Sequence, residues 1–354
     1  MRQEPHDSST VAVVILNWNG LSHLQTYLPS VLAHTPAEVE LWVADNGSSD
    51  ESVSWLKTHM APRVHVLELD QNHGFAGGYN RALDTIDADI YVLLNSDVRI
   101  SGPWIEEVVN TMNERTWDVA SPLIVQDADP DRCEHAGAAG GLMDRDGFPF
   151  CIGRIFGHCS PVTSHHVKSR EVFWASGACL FIRRSVWRSA GGFDESLFAH
   201  MEEIDLCWRL KNEGHRVGCV GHVRVQHLGG GTLQVDSPRK VFLNFRNNLV
   251  VMLKNRDGWW PGFLCRRMLL DGIAAWRFLF SGHWRLFLAV GLAHAHLYAR
   301  LWSVLRLRRS LRRSPTRRPN RIGWWPHSLV WAHFIRGNKV DTELSFIDDA
   351  RSLN

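Results

Sequence analysis

The feature that most constrains the fold is an apolar run at residues 90–94 that stops abruptly at Asn95, Ser96 and Asp97. An unbroken run of apolar β-formers with polar residues beyond it predicts a central strand of a parallel sheet. In open α/β sheets, ligands bind just beyond the carboxyl ends of such strands. The carboxylate of Asp97 is also an oxygen ligand of the kind that hard divalent cations prefer. From this segment alone, a turn or helix cap is an equally good interpretation.

Three earlier segments repeat the pattern. We predict strands at residues 11–16, 39–44 and 64–69, and each is followed by a polar loop rich in Asn, Asp or Gly. The helices predicted between them are residues 21–33, a second helix capped by Asp50 and carrying Val53 and Leu56, and residues 79–86. Alternating strands and helices with short loops predict a mainly parallel α/β sheet flanked by helices. Right-handed connections then bring the polar loops to one edge.

Neither of the common phosphate-binding fingerprints is present in the sequence. The first strand–helix turn has one glycine, Gly20, where the dinucleotide fingerprint needs three, and no GxxxxGK[ST] loop occurs. The glycines of residues 74–78 leave two interpretations open. They could bring bare backbone to a phosphate at a helix N-terminus, or they could serve a tight turn.

Composition narrows the class of protein. Of 354 residues, 45% are hydrophobic and 21% are charged, which is typical of a globular chain. A net charge of +2 does not favour a nucleic-acid partner, and seven cysteines without CxxC spacing favour neither a disulfide framework nor a zinc ribbon. Residues 1–10 are polar, and we expect a disordered N-terminus without a signal peptide. These features predict a cytoplasmic protein.

The middle of the chain is less regular. A strand is predicted at residues 119–125, a long loop at 127–169, and a strand at 172–182 that is interrupted by Ser176 and Gly177. An acidic helix follows from Met201 to Leu210, with an i,i+4 pair between Asp205 and Arg209. Its first-turn glutamates complement the helix dipole or carry chemistry. A strand at 223–227 then ends in a histidine before three glycines, which makes that histidine a candidate ligand.

The last third is aromatic and basic. A helix is predicted at residues 239–253, followed by helices that mix Trp and Phe with arginine. The longest uncharged run, residues 286–299, is shorter than the roughly 20 residues that a membrane span needs. Cationic helices of this composition lie in the bilayer interface, and eight arginines between Arg306 and Arg321 add attraction to anionic lipid. A helical subdomain packed on the core, with a solvated basic tail, is the alternative.

At this point the chain resembles the inverting family 2 glycosyltransferases, particularly their bacterial rhamnosyltransferase-like branch. The resemblance covers about residues 10–235. Four motifs carry it: residues 14–20, residues 43–50, residues 72–80 with 93–97, and residues 193–195 running through 202–209, with His227 downstream. Each motif is weak alone, but their order and spacing together are specific.

The resemblance implies a GT-A fold, with a catalytic domain at 11–235 divided into a nucleotide-sugar half (11–125) and an acceptor half (126–235). Residues 236–354 would form an amphipathic helical region with a basic tail. It also implies roles for individual residues. The nucleotide-sugar would contact Asn17, Trp18, Asn19, Asp45, Asn72, Gly74, Asn80, Asn95, Ser96 and Asp97. The sugars would lie near Trp174, Ser176, Gly177, Glu202 and Trp208.

The same resemblance places Asp97 and His227 on a Mg²⁺ or Mn²⁺ ion and makes Glu203 the catalytic base. Two departures from the family pattern matter. Asn95 replaces the first aspartate of the DxD motif, which leaves one anionic ligand there. Glu203 stands where aspartate is common, so Glu202 and Asp205 stay open as alternative bases.

The resulting hypothesis is an inverting sugar transfer in cell-surface polysaccharide synthesis. The donor would be a dTDP- or UDP-sugar, with dTDP-L-rhamnose first. The acceptor would be a polyprenyl-linked or other glycan at the inner face of the cytoplasmic membrane, with the enzyme peripherally bound and a homodimer possible. Two rivals remain: a metal-dependent nucleotidyltransferase, although the 17–20 loop has no basic residue, and a non-catalytic membrane-associated nucleotide-sugar-binding protein.

Overall fold

The computed structural model describes residues 9–229 and 237–338. Strands and helices alternate in its first part. The elements are β1 (Val11–Asn17), α1 (Leu21–His34), β2 (Glu40–Asp45), α2 (Ser52–His59), β3 (His65–Glu68), α3 (Gly74–Thr85), β4 (Ile90–Asn95), β5 (Val98–Arg99) and α4 (Ile105–Arg115). The alternating pattern predicted for this part is confirmed.

Short strands and then helices make up the second part. They are β6 (Val119–Gln126), β7 (Gly141–Asp144), β8 (Pro149–Cys151), β9 (Arg154–Ile155), β10 (His158–Cys159), β11 (Arg170–Glu171), β12 (Cys179–Arg183), α5 (Arg184–Ala190), α6 (Glu202–Asn212), β13 (Val217–His227), α7 (Pro238–Asn255), α8 (Trp260–Phe280), α9 (Trp284–Ala299), α10 (Leu301–Arg312), β14 (Trp324–Trp325) and α11 (Leu329–Phe334).

The central sheet has the strand order β11-β13-β6-β12-β4-β1-β2-β3, with β5 paired to β13. Strands β4, β1, β2 and β3 run parallel, whereas β12 is antiparallel to both β4 and β6. The sheet is therefore mixed and flanked by helices, as the GT-A resemblance implied. In β4, Tyr91 and Leu93 join the apolar layer on one face, while Val92 and Leu94 join the layer on the other.

Helix α3 begins at Gly74, five residues before the predicted start at residue 79. Glycines normally disfavour a helix interior, but here they permit close contact. A side chain at Gly74 would meet the ring of Phe198 at 2.6 Å, and one at Gly78 would meet Leu16 at 2.7 Å. The nearby prediction of Asp50 as the cap of α2 was also off by one residue, since Glu51 is the cap and Asp50 accepts a hydrogen bond from the Ser52 amide.

Two predictions for the middle of the chain were wrong. The predicted loop 127–169 contains strands of a second sheet, in the order β10-β9-β8-β7-β14. The predicted strand 172–182 is regular only from Cys179 onward. The reason lies in Trp174, which packs so closely on Gly141 that a side chain there would lie 2.1 Å from its ring. The chain at Trp174 thus packs onto the second sheet, with a single bridge to Gly141, and does not extend the central one.

The C-terminal helices pack against the part of the chain that forms the central sheet and its flanking helices. Helix α7 contacts α6, and α9 contacts α7. Arginines predicted to form a solvated tail are partly structural, since Arg308 donates to the carbonyls of Leu253 and Gly258. No helix within residues 9–229 or 237–338 is long and apolar enough to cross a membrane. All seven cysteines are free.

Most of the predicted N-terminal segment 1–10 lies outside the described residues, although Thr10 bonds to Asp89. The predicted domain boundary at 235/236 and the last two of the three glycines also lie outside them.

Candidate functional site

Parallel pairing brings three predicted site residues to one edge of the sheet. In the register of β1, Asn17 is opposite Asp45 and Leu16 is opposite Asn95. Asn17 donates to Asp45 at 2.9 Å, and the backbone and hydroxyl of Ser48 donate to the same carboxylate at 2.8 and 2.6 Å. Asp45 is therefore buried and already bonded, whereas Oδ1 of Asn17 has no partner among the described residues. That oxygen is itself buried and is not open to a ligand in this arrangement.

The loop after β1 is held by the loop after β2. Asn19 has a φ of +50°, its amide donates to the Ser48 hydroxyl, and its side-chain oxygen accepts from the backbone of Ser49 at 2.7 Å. These bonds leave the ring of Trp18 46% exposed. A fixed, exposed indole beside polar acceptors offers a flat surface on which an aromatic base can stack.

Two predicted nucleotide-binding asparagines make structural bonds. Asn72 caps the turn before α3 by accepting from the Gly74 amide at 2.8 Å. Asn80 pairs with Phe193 through both its oxygen and its nitrogen, at 2.9 and 3.0 Å. Both amides hold the segments around the edge in place. A contact between either residue and a nucleotide-sugar stays a prediction.

The predicted metal ligands lie together. Nε2 of His227 is 3.2 Å from Oδ1 of Asp97 and 3.3 Å from the Asn95 amide. Two neighbouring ligands around an octahedral ion at about 2.1 Å are separated by roughly this distance. The Asp97 carboxylate suits Mg²⁺ or Mn²⁺ and the His227 imidazole offers a nitrogen ligand, whereas the Asn95 atom that faces the ring is Nδ2, which ligates no metal. The residues present thus fit such an ion.

Glu134, which the sequence did not single out, lies on the other side of the His227 ring. Its carboxylate is 3.3 Å from Nδ1, an ion-pair distance without hydrogen-bond alignment. Because it lies opposite Nε2, it cannot share an ion with Asp97. Accordingly, no group of three or more His, Cys, Asp or Glu residues within the described chain converges on one metal position. A carboxylate behind a ligating histidine commonly orients the ring.

The electrostatics of this group follow from its burial and charges. Burial favours a neutral His227, but bonding to Asp97 and Glu134 outweighs it and raises the pKa of His227 to about 10. Histidine ligates a metal only in its neutral form, so cation binding here competes with protonation. Glu134 was missed because its partner is distant in sequence and its own segment was taken as an irregular loop.

Asp205, one of the alternative bases, is excluded by its surroundings. Its carboxylate is fully buried and bonds to Arg209 and Lys254 at 2.8 Å and to Asn255 at 2.7 Å. Burial alone would raise its pKa, but the charges of Lys254 and Arg209 outweigh that effect and lower it. The predicted pair between Asp205 and Arg209 is confirmed, and Asp205 acts as the anchor of α6 and α7.

The two glutamates at the start of α6 differ in their access to the edge. Glu202 is buried, whereas Glu203 is half-buried and lies against Gly177, whose added Cβ would be 3.5 Å from its side chain. The residue after Gly177 is Ala178, whose backbone carbonyl accepts a hydrogen bond from the backbone N–H of Asn95 at 3.0 Å. Glu203 therefore borders the edge that carries Asn95 and Asp97, and its Oε2 has no hydrogen-bond partner in the described chain.

Burial also separates the chemistry of the two glutamates. It raises the pKa of Glu203 to about 7, and burial together with the charge of Glu203 raises that of Glu202 well above its usual range. The pKa of Glu203 is thus close to neutral pH, whereas the charge of its neighbour disfavours ionisation of Glu202 further. A carboxylate with a pKa near the working pH suits general base catalysis.

The backbone before α6 is unusual. Phe198, His200 and Met201 have φ values of +64°, +70° and +74°, a region that non-glycine residues rarely occupy. The side-chain amide of Asn247 in α7 donates to the carbonyls of Leu197, Ala199 and His200 at 2.7–2.9 Å. Helix α7 thus stabilises the strained segment from which Glu203 is presented.

Two residues predicted near the sugars belong to the core. Trp208 is fully buried against the rings of Phe173 and Trp324. Trp174 is also buried and donates to the Leu142 carbonyl at 2.9 Å. Neither side chain is open to a sugar in this structure, and a place for either residue near the sugars stays a prediction. Ser176 donates to the Ala136 carbonyl and accepts from the Ala178 amide, which shapes the chain beside Gly177.

Two curated proteins are similar to this chain over most of its length. N-acetylglucosaminyl-diphospho-decaprenol L-rhamnosyltransferase from Mycobacterium tuberculosis is 27% identical over 76% of this chain and 92% of its own length. Low-salt glycan biosynthesis hexosyltransferase Agl10 from Haloferax volcanii is 24% identical over 68% of this chain and 74% of its own length.

A similar fold occurs in the mannosyltransferase PcManGT from Pyrobaculum calidifontis, solved with GDP-Man and Mn²⁺. That structure is 16% identical, covers 88% of this chain and 83% of its own, and has a TM-score of 0.51. The family model described as Glycosyl transferase family 2 matches residues 12–188, which is half of the chain. The chain therefore belongs to glycosyl transferase family 2.

Proposed function

We propose that this glycosyltransferase moves a sugar from a nucleoside diphosphate to a saccharide hydroxyl, with inversion at the anomeric carbon. The observation that carries the proposal is Glu203. Its carboxylate has a pKa of about 7, has an oxygen without a hydrogen-bond partner in the described chain, and borders the edge that holds Asp97 and His227. A base and an anion-binding group on one edge are what a direct displacement requires.

The chemistry balances in a single step. Glu203 takes the proton of the acceptor hydroxyl, whose oxygen forms a bond to the anomeric carbon. The bond between that carbon and the diphosphate oxygen breaks, and the electron pair leaves with the nucleoside diphosphate. Attack from the face opposite the leaving group inverts the configuration. The raised pKa of Glu202 disfavours a second negative charge beside the base.

Negative charge develops on the diphosphate as it leaves, and positive charge beside it stabilises that step. Asp97 and His227, with the Asn95 amide beside them, would hold Mg²⁺ or Mn²⁺, and Glu134 would orient the His227 ring. A divalent cation bound there supplies charge that stabilises the departing diphosphate. The exposed ring of Trp18 would provide a stacking surface for the nucleobase of the donor, and a contact between Asn17 and the nucleotide stays a prediction.

For the donor we propose dTDP-L-rhamnose, with UDP-sugars next. For the acceptor we propose a saccharide on a polyprenyl diphosphate at the inner face of the cytoplasmic membrane, where the enzyme would bind peripherally and contribute to cell-surface polysaccharide. Support comes from the mycobacterial relative, whose name describes L-rhamnosyl transfer to a decaprenol diphosphate. The rhamnosyl and hexosyl relatives both cover more than two thirds of this chain.

The test is a donor screen that measures nucleoside diphosphate release from dTDP-, UDP- and GDP-sugars, with membrane extract as the acceptor source, with and without Mn²⁺. We expect release with one donor, dependence on the metal, and loss of release in Glu203→Gln. NMR of the product reports the anomeric configuration. Silence with every donor would contradict the proposal, and donor binding without turnover in the unaltered chain would favour a non-catalytic binding protein.

A further inference from the structure

Helix α8 has an apolar face that nothing in the described chain covers. Leu269, Ile273, Trp276 and Phe280 recur at spacings of four, three and four residues, which places them on one side of a helix. All four are exposed, Leu269 at 71% and Phe280 at 83%. The opposite side, which includes Phe263, Arg267 and Ala275, is buried. Helix α8 therefore has two faces with apolar residues: one is buried against the chain, and the other is exposed over a length of about 16 Å.

Helix α9 continues this surface. The chain reverses at residues 281–283, α8 and α9 pack on each other, and Trp284 and Leu288 are exposed at a spacing of four residues. Trp276 stacks on Phe280 at 5.7 Å and touches Phe287 of α9 at 5.5 Å. We name Leu269, Ile273, Trp276, Phe280, Trp284 and Leu288 the outer stripe.

The charge around the outer stripe is one-sided. Residues 258–338 contain 14 arginines and one acidic residue, Asp271, for a formal charge of +13. The whole chain carries +2, so the remainder carries −11. Asp271 is buried and bonded to Arg267 and His294, at 3.0 Å in both cases. Carboxylates outside the segment pair with some of its arginines, Asp146 with Arg266 and Asp257 with Arg317 and Arg321. Arg277 and Arg285, next to stripe residues in α8 and α9, are exposed and have no ion pair in the described chain.

We propose that the outer stripe docks on a lipid bilayer that contains anionic lipid. Trp, Phe and Leu with flanking arginine are the composition of helices that lie in the bilayer interface. A second copy of this chain is a poorer occupant, because a two-fold contact would bring the same cationic segment against itself. The charge complementarity therefore selects an anionic membrane surface.

The proposal also deepens the proposed function, and rests on it, in one respect. Helix α9 packs on α7, and α7 holds through Asn247 the segment that precedes Glu203. The docked helices are thus joined directly to the part that presents the base. An acceptor anchored in the same bilayer would be brought to the enzyme by its lipid.

The experiment is flotation of the full chain with vesicles of phosphatidylcholine alone and of phosphatidylcholine mixed with phosphatidylglycerol. Shortening the chain before α7 would remove Lys254 and Asn247, so point variants are used. The test variant is the double change Trp276→Ser and Phe280→Ser. The matched control is Trp259→Ser, a 77% exposed tryptophan before the opposite end of α8.

We expect the unaltered chain to float with the anionic vesicles and much less with the neutral ones, and rising salt to release it. The double variant should bind about a hundredfold more weakly, because burying each large apolar side chain is worth roughly tenfold or more. The control should bind like the unaltered chain. Thermal unfolding and transfer to a water-soluble acceptor should be the same in all three proteins.

Equal flotation of the double variant and the unaltered chain would overturn the proposal, and so would binding to neither type of vesicle. If the unaltered chain is a dimer in solution and binds no vesicles, while the double variant is a monomer, the outer stripe joins two copies and the proposal is overturned. Vesicle binding needs no turnover, so a failed donor screen with intact flotation contradicts the proposed function alone.

Discussion

Replacing Glu203 by glutamine should stabilise the protein at alkaline pH while removing its activity. Burial raises the pKa of Glu203 to about 7 from an ordinary 4.5. The folded protein therefore holds a proton that the unfolded chain releases at a lower pH. Between these two values the unfolded state binds fewer protons, so the free energy of unfolding falls as pH rises. Below the ordinary pKa, the two states are equally protonated at this group.

The size of the effect follows from the shift. About 1.36 kcal/mol per pKa unit gives a loss on the order of 3 kcal/mol by about pH 8. Glutamine matches the shape of the protonated acid and cannot lose a proton. The Glu203→Gln variant should thus match the unaltered protein near about pH 5 and exceed its stability by up to this amount near about pH 8.

The assay is urea unfolding at the two pH values, together with kcat/KM for sugar transfer across the same range. In the unaltered protein, kcat/KM should fall about tenfold per pH unit below the pKa of the base, and Glu203→Gln should lose about 10²- to 10⁴-fold. Glu202→Gln is the control. Because the pKa of Glu202 is raised as well, this change should also flatten the pH dependence of stability, but it should leave activity nearly unaltered.

Two results would refute the reasoning. One is a Glu203→Gln variant whose stability has the same pH dependence as that of the unaltered protein. The other is the reverse pattern of activity, in which Glu202→Gln is inactive and Glu203→Gln is active. That pattern would move the base to Glu202.

Three further changes test the supports of the site. Lys254→Met leaves the carboxylates of Asp194 and Asp205 without their shared cation and should cost about 3–5 kcal/mol in urea unfolding at neutral pH; a stability equal to that of Lys254→Arg would contradict this. Because the charge of Lys254 outweighs burial and lowers the pKa of Asp194 to about 2, that contribution should be fully present above about pH 4 and be lost progressively as pH falls from there to about 2. Asp97→Asn removes the anionic ligand and should weaken Mn²⁺ binding by at least about tenfold in calorimetry with nucleoside diphosphate present, and unchanged affinity would place the ion elsewhere. Asn247→Ala removes the side-chain amide that donates to three carbonyls, and it should cost about 1–3 kcal/mol of stability. It should also lower kcat by a larger factor than it changes KM. A change in stability alone would limit Asn247 to a structural role.

The local pattern of apolar and polar residues was enough to predict the strands of the first part of the chain and the polar residues at their ends. Strands β1, β2, β3 and β4 were predicted to within a residue or two, and the buried strands β1 and β4 are nearly continuous apolar runs. Asn17, Asp45 and Asn95 were expected on one edge because parallel strands place their carboxyl ends together. The prediction failed where packing overrides propensity, as in the glycine-rich start of α3 and at Trp174, which packs on Gly141.

By itself, the sequence determined the mixed sheet with flanking helices, the edge that carries the site, the pairing of Asp97 with His227, and the acidic start of α6. Only the tertiary structure decided which acid is available for chemistry. Asp205 is unavailable as a base because it bonds to Lys254, Arg209 and Asn255. Glu202 is unavailable because it is buried. Contact between distant parts of the chain places Glu134 behind the ring of His227. The physical reason is that periodicity reports which face of an element is buried. The pKa of a carboxylate depends instead on the charges and the solvent that folding brings to it.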